Sequence, residues 1–160
     1  MILDTGGGIK KMLSFFPTAT PILIHNVDII SAFDLRQIMD HHLFHQADAT
    51  LVLHSNPTNR PLVFDTDFRL LGRPDDAQYP SSRHYGFCGI QVVQPRLFLS
   101  EKEQKFYSID LYIEAAHRNH KIIGYPIEGV YWRDIGRPED LQEAEKDILN
   151  GLYRPVDITS

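Results

Sequence analysis

The sequence predicts an α/β domain, because short β-rich apolar runs alternate with longer stretches whose apolar residues recur at helical spacing. Pro21 to Asn26, Ala49 to His54 and Tyr85 to Val93 are near-continuous apolar runs, the composition of strands buried on both faces. Between and after them, Leu35, Ile38, Met39 and Leu43, then Ile109, Tyr112, Ile113 and Ala116, then Leu141, Ala144, Ile148 and Leu149 each fall on one helical face. With 160 residues, the chain is long enough for one domain with a real core and short for two.

Taken in order, Met1 to Gly8 is a glycine-rich entry, and Ile9 to Phe16 reads as a short helix that ends before Pro17. The strand Pro21 to Asn26 stops at Val27-Asp28. Ser31 is placed to cap the next helix, with Asp34 three residues on in a capping-box arrangement, and Leu43 is expected to face inward. After the strand Ala49 to His54, Leu62 to Phe64 and Phe68 to Leu71 suggest a hairpin across Asp65-Thr66-Asp67. Arg73 to Ser82 is the most loop-like stretch. Lys121 to Ile127 and Val130 to Trp132 read as the last two strands, followed by a turn at Asp134-Ile135-Gly136. The final helix runs from Pro138 to Asn150, with Glu139 and Asp140 near the positive end of its dipole and Gly151 closing it. Residues 1–152 form the expected domain, and 153–160 a C-terminal tail.

Composition excludes several function classes. A net charge of −5 argues against sequence-independent nucleic-acid binding, which needs a basic surface. No apolar run is long enough to cross a bilayer, and the N-terminus shows no basic region followed by an apolar one. The lone cysteine, Cys88, cannot form an internal disulfide, which fits a cytoplasmic setting.

Asp28 and Asp134 stand out because each directly follows a hydrophobic strand, and open α/β sheets bind ligands beyond their strand ends. Two carboxylates converging there make a hard oxygen site suited to Mg²⁺; on position alone, the capping of a turn or helix is the default reading of each. Gly6, Gly7 and Gly8 offer backbone close approach to a phosphate or base, or simply a flexible helix start. His41, His42 and His45 lack the third ligand and intervening glutamate of a zinc helix and are expected on a solvated face. Cys88 reads as a small core residue, and Phe87 and Trp132 as core aromatics. Arg133 and Arg137 flank Asp134 within reach of a phosphate, although a solvated surface position is the default for both.

Together these segments resemble the sugar-1-phosphate nucleotidyltransferases, in particular the branch of N-acetylmuramate-1-phosphate uridylyltransferase and the mannose- or heptose-1-phosphate guanylyltransferases. Leu3-Asp4-Thr5-Gly6-Gly7-Gly8-Ile9 is similar to L-x-T-G-G-G-I, and Asn26-Val27-Asp28 to the strand end N-G-D. Phe87-Cys88-Gly89-Ile90 is similar to an aromatic-x-G-I strand, and Trp132-Arg133-Asp134-Ile135-Gly136-Arg137-Pro138-Glu139-Asp140 to W-x-D-I-G-T-P-E-D. The resemblance implies the C-terminal portion of a Rossmann-like nucleotide-diphospho-sugar transferase fold, with a mixed, mainly parallel sheet flanked by helices. It implies Asp28 and Asp134 as catalytic Mg²⁺ ligands, Gly6, Gly7 and Gly8 beside the nucleotide, and Gly89 and Asn26 beside the sugar. The implied reaction joins a nucleoside triphosphate and a sugar 1-phosphate into an NDP-sugar, releasing pyrophosphate. The family's G-x-G-x-R loop and P-K-P segment have no counterpart in these residues, and Val27 replaces a glycine. The expectation is therefore a chain inactive in isolation, with exposed strand edges that either a complementing chain or a second copy covers, or that leave the chain poorly stable. A non-catalytic sugar-nucleotide-binding or interaction module is the alternative.

Overall fold

The computed structural model describes residues 3–74 and 82–156. Six strands form one sheet: β1 (Ile22–His25), β3 (Ala49–His54), β4 (Leu62–Phe64), β5 (Leu70–Gly72), β6 (Arg83–Val93) and β7 (Ile122–Pro126). Their order is β5-β4-β6-β3-β7, and β1 also pairs with β6. A separate ribbon joins β2 (Ile29–Ser31) to β8 (Trp132–Asp134). The helices are α1 (Asp4–Met12), α2 (Leu35–His45), α3 (Arg96–Leu99), α4 (Ser108–His117) and α5 (Pro138–Leu149).

The period-2 alternation of strand side chains divides the core between the two sheet faces. On one face Leu51, Leu53 and Val93 pack with Ile9 and Leu13 of the α1 region, Leu97 and Phe98 of α3, and Leu111 and Tyr112 of α4. On the other, Val52, Ile90 and Val92 pack with Ile38 of α2, Ile29 of the ribbon, Phe33 and Cys88. The sheet is mixed, as expected, but its balance is not mainly parallel. Among the described strands only β3 and β7 run parallel, whereas β6 runs against β1, β3 and β4, and β4 against β5. A strand buried on both faces has the same composition whichever way its neighbours run, so apolar runs could not distinguish the two cases.

Strand β6 carries the sheet's main irregularity. Leu51 of β3 pairs with Gln91 and Leu53 with Phe87, so Val52 opposes three residues, Cys88, Gly89 and Ile90. Gly89 absorbs this bulge at φ +75°, a left-handed conformation that disfavours any side chain.

Several boundaries differ from expectation for identifiable reasons. Helix α1 begins at Asp4 rather than Ile9 and takes in all three glycines, because Gly6 and Gly7 are held by tertiary contacts that offset their poor helix propensity. The next helix begins after Asp34, whose carboxylate accepts the Arg36 N–H at 2.9 Å, while Ser31 lies in β2 instead of capping. Leu43 is 53% exposed, and His42 takes the buried place on α2. His42 is not on a solvated face: its Nδ1 lies 3.0 Å from the Thr50 hydroxyl, and burial pushes its pKa down to about 4. Along α5 only Ala144 is buried; Leu141, Ile148 and Leu149, expected inward, border a shallow groove against Ile30. The hairpin across Asp65-Thr66-Asp67 forms as expected. Much of the loop expected over Arg73 to Ser82 lies outside the described residues.

Candidate functional site

The candidate site is built where β1 ends and the β2–β8 ribbon begins. Asn26 donates its backbone N–H to Gly89 O at 2.9 Å, which ties the end of β1 to the bulge. The chain then turns through Val27 and Asp28 into β2, where Ile29 pairs with Asp134. Ile135 N–H closes the arrangement by donating to Asp28 O at 2.8 Å. Two aspartates 106 positions apart in sequence are thereby fixed side by side, each exposed.

Gly136 marks the convergence of the two carboxylates. Its N–H donates to Asp134 Oδ1 at 2.8 Å. A β-carbon built on Gly136 would stand 3.1 Å from Asp134 Oδ1 and 3.4 Å from Asp28 Oδ2, so one small volume touches both groups. Neither carboxylate forms an ion pair among the described residues. The neighbouring arginines are engaged elsewhere: Arg133 with Asp147, and Arg137 with Asp140 at 2.7 Å. Those partners raise both guanidinium pKa values, Arg133 through Tyr131 and Asp147, Arg137 chiefly through Asp140. The pair is chemically suited to a hard divalent cation, whose remaining positions would be filled by water and phosphate oxygens. Among the described residues no group of three or more His, Cys, Asp or Glu is placed to hold a metal, so the protein's share of such a site would be these two carboxylates.

The other sequence-derived candidates fall in three places. Gly89 adjoins Asn26, whose Nδ2 would lie 3.1 Å from a β-carbon at Gly89, and Ile29 Cγ1 would lie at 2.8 Å. The room that Gly89 leaves is thus occupied by the very residues that shape the turn to Asp28. Gly6 and Gly7 lie against the 104–106 segment, where both N–H groups donate to Phe106 O at 2.9 and 3.3 Å. A β-carbon on Gly6 would meet the Phe106 ring at 2.3 Å, and one on Gly7 would meet Gln104 O at 2.0 Å. Gly8 alone of the three faces open space. Val27 is 98% exposed, so its bulk projects into solvent.

Sequence reasoning missed a polar cleft of about 310 Å³ next to the ribbon, bounded by His54, Asn56, Glu128, Gly129 and Trp132. His54 stacks on Trp132 with ring centroids 4.5 Å apart, and burial lowers its pKa. The indole N–H of Trp132 donates to Cys88 O at 2.8 Å, anchoring β8 to β6. A histidine ending an apolar strand was the available signal. Cys88 itself is fully buried, and burial pushes its thiol up to about 12, which removes it from consideration as a nucleophile.

A mixed α/β sheet with two carboxylates brought together at the end of β1 and in the β2–β8 ribbon defines an α/β protein with a candidate cation- or phosphate-binding site. No protein-family model matches the chain. It is 27% identical over 158 residues to mannose-1-phosphate guanylyltransferase of Mycobacterium tuberculosis, covering 94% of this chain and 43% of that protein. It is also 27% identical over 149 residues to D-glycero-alpha-D-manno-heptose 1-phosphate guanylyltransferase of Aneurinibacillus thermoaerophilus, covering 91% and 63%. A putative glucose-1-phosphate thymidylyltransferase from Bacillus anthracis, solved in complex with a sucrose, superposes with a TM-score of 0.72 at 16% identity, covering 98% and 63%. The homologues and structural neighbours of this chain are therefore sugar-1-phosphate nucleotidyltransferases, as its motifs implied. The chain spans roughly two-fifths to two-thirds of the length of the curated relatives it matches. Among the described residues no helix is long and apolar enough to cross a membrane.

Proposed function

We propose that this chain provides the metal- and sugar-phosphate-binding part of a sugar-1-phosphate nucleotidyltransferase. The observation that carries this reading is the convergence of Asp28 and Asp134 on the volume beside Gly136, at the strand ends of a fold shared with such enzymes. In the reaction, an oxygen of the sugar 1-phosphate attacks the α-phosphorus of a nucleoside triphosphate, and pyrophosphate leaves to give the NDP-sugar. A Mg²⁺ held by Asp28 and Asp134 would supply positive charge between the two phosphates and reduce their repulsion. The contribution of the chain's own residues is positional. The ribbon fixes both carboxylates, Gly136 keeps the space between them clear, and Gly89 with Asn26 sets the turn that presents Asp28 to the sugar phosphate. Gly8 is the open glycine beside which a nucleotide can lie.

Among the described residues the two arginines that flank Asp134, Arg133 and Arg137, are ion-paired with Asp147 and Asp140 rather than directed at the carboxylate pair, where a departing pyrophosphate would need neutralising. Losing electrostatic donors of that kind costs on the order of several kcal/mol each in such reactions. The isolated chain is therefore expected to bind ligand in the cytoplasm without appreciable turnover. A non-catalytic sugar-nucleotide-binding module is the second reading, supported by the same engagement of both arginines. Titration of the purified chain with mannose 1-phosphate and glucose 1-phosphate, with and without MgCl₂, tests the proposal. Mg²⁺-dependent binding that Asp134→Ala abolishes is expected; equal affinity in that variant would refute the metal assignment.

A further inference from the structure

The last turns of α2 carry two half-buried imidazoles whose nitrogens the fold does not use. His41 and His45 stand four residues apart, so both project from one face of the helix, and their ring centroids lie 4.3 Å apart. Neither ring makes a hydrogen bond among the described residues, and His41 Nδ1 is buried. By contrast, His25, His42, His117 and His120 each place a ring nitrogen within 3.2 Å of a hydrogen-bond partner. A buried nitrogen without a partner costs stability unless water or an ion satisfies it. The pair is also held in place. The Tyr125 ring of β7 meets His41 edge-on at 4.9 Å, and its hydroxyl donates to Gln37 Oε1 at 3.2 Å, one turn earlier on the same stripe. The exposed Phe44 ring lies edge-on to His45 at 5.1 Å. Burial, reinforced by His45 and Lys121, lowers the His41 pKa to about 4, so at neutral pH this ring is an uncharged ligand. Lys121 carries the charge that opposes a cation here, and its ammonium donates to the His45 carbonyl oxygen at 2.6 Å rather than to either ring.

We infer that His41 and His45 form a second cation site, distinct from the aspartate pair, for a late first-row divalent ion such as Zn²⁺. Imidazole nitrogen suits that class of ion, whereas Mg²⁺ and Mn²⁺ prefer carboxylate and water oxygens, so the two sites divide metals by ligand softness. Histidines at this spacing on a helix face chelate Zn²⁺ through one nitrogen each, at about 2.0–2.1 Å. Among the described residues no third His, Cys, Asp or Glu is placed to join them. Water therefore fills the remaining positions, and binding is weaker than at a closed four-ligand site. The role is binding rather than hydrolysis, because no glutamate stands between the two histidines to act as a base. An ion held there clips the last turn of α2, just before the chain enters β3, and stabilises the folded state according to its occupancy.

The test is calorimetric titration of the full chain with ZnCl₂, followed in parallel by NMR of the histidine ring protons. Binding that shifts the His41 and His45 ring signals together is expected. His45→Gln, which substitutes a good helix former, should weaken that binding by about ten-fold or more, with the urea midpoint of the metal-free chain unchanged. Asp134→Ala should leave it within about two-fold, which separates this site from the aspartate pair. Ring signals of His41 and His45 that stay still, undiminished binding in His45→Gln, or loss of binding in Asp134→Ala would each overturn the inference. The ring signals are read on the wild-type chain, so that result stands whether or not the variant folds as well.

Discussion

Replacing Gly136 by alanine separates metal binding from folding more cleanly than removal of either aspartate. Gly136 is exposed and does not occupy a left-handed conformation, so alanine meets no backbone strain there. The added methyl would lie 3.1 Å from Asp134 Oδ1 and 3.4 Å from Asp28 Oδ2, within the volume in which a cation bound to both must sit. Mg²⁺ demands near-ideal geometry at about 2.0–2.1 Å from its oxygens and tolerates such displacement poorly. We expect at least a ten-fold loss of Mg²⁺ affinity, equivalent to about 1.4 kcal/mol. Because Gly→Ala at an unstrained site restricts the unfolded chain, stability should be unchanged or raised by about 0.4–1 kcal/mol. Calorimetric Mg²⁺ titration in the presence of mannose 1-phosphate, paired with urea unfolding of the same variant, measures both. A variant that binds Mg²⁺ within two-fold of wild type would refute the placement of the cation between the two carboxylates.

Three further outcomes are expected. His42 is buried and neutral, with its pKa lowered by burial from 6.5 to about 4. Its contribution to stability is therefore complete above pH 6.5 and is lost as pH falls from there toward 4. The loss is at most on the order of 3 kcal/mol, and urea midpoints at pH 7.5 and 4.5 should differ less in His42→Gln. Gly7→Ala would drive a β-carbon to 2.0 Å from Gln104 O, a backbone atom with little room to yield, and should cost about 1–3 kcal/mol in chemical denaturation. Cys88, buried and with its thiol pushed up to about 12, should resist alkylation in native buffer and react only on unfolding; rapid labelling of the native chain would contradict the β6 core placement.

The two aspartates were legible because each follows a hydrophobic run in the sequence, although Asp134 proves to be the last residue of β8 itself, and strand ends are where such sheets bind ligands. Their meeting was not legible, since it depends on β2, three residues long, pairing with β8 across the whole chain. Local patterns misread α2 in a related way. Apolar counting favours Leu43, but the buried position is taken by His42, whose polar cost is offset by Thr50 on β3, a pairing that spacing within the helix does not reveal. The Leu141, Ile148 and Leu149 stripe of α5 was correctly read as one face, yet periodicity cannot say what covers a face, and these side chains are largely exposed. Glycines show the same limit. Gly6 and Gly7 looked like room for a ligand, whereas they are spaced to admit the Phe106 ring and the Gln104 carbonyl.

The most direct measurement of the central claim is paramagnetic mapping with Mn²⁺ in place of Mg²⁺ on the isotopically labelled chain. A single Mn²⁺ shared by the two carboxylates predicts amide broadening centred on Val27 to Ile29 and on Asp134 to Arg137, lost together in Asp28→Asn. Broadening centred on the His41 and His45 turn of α2, or broadening that survives in Asp28→Asn, would contradict it.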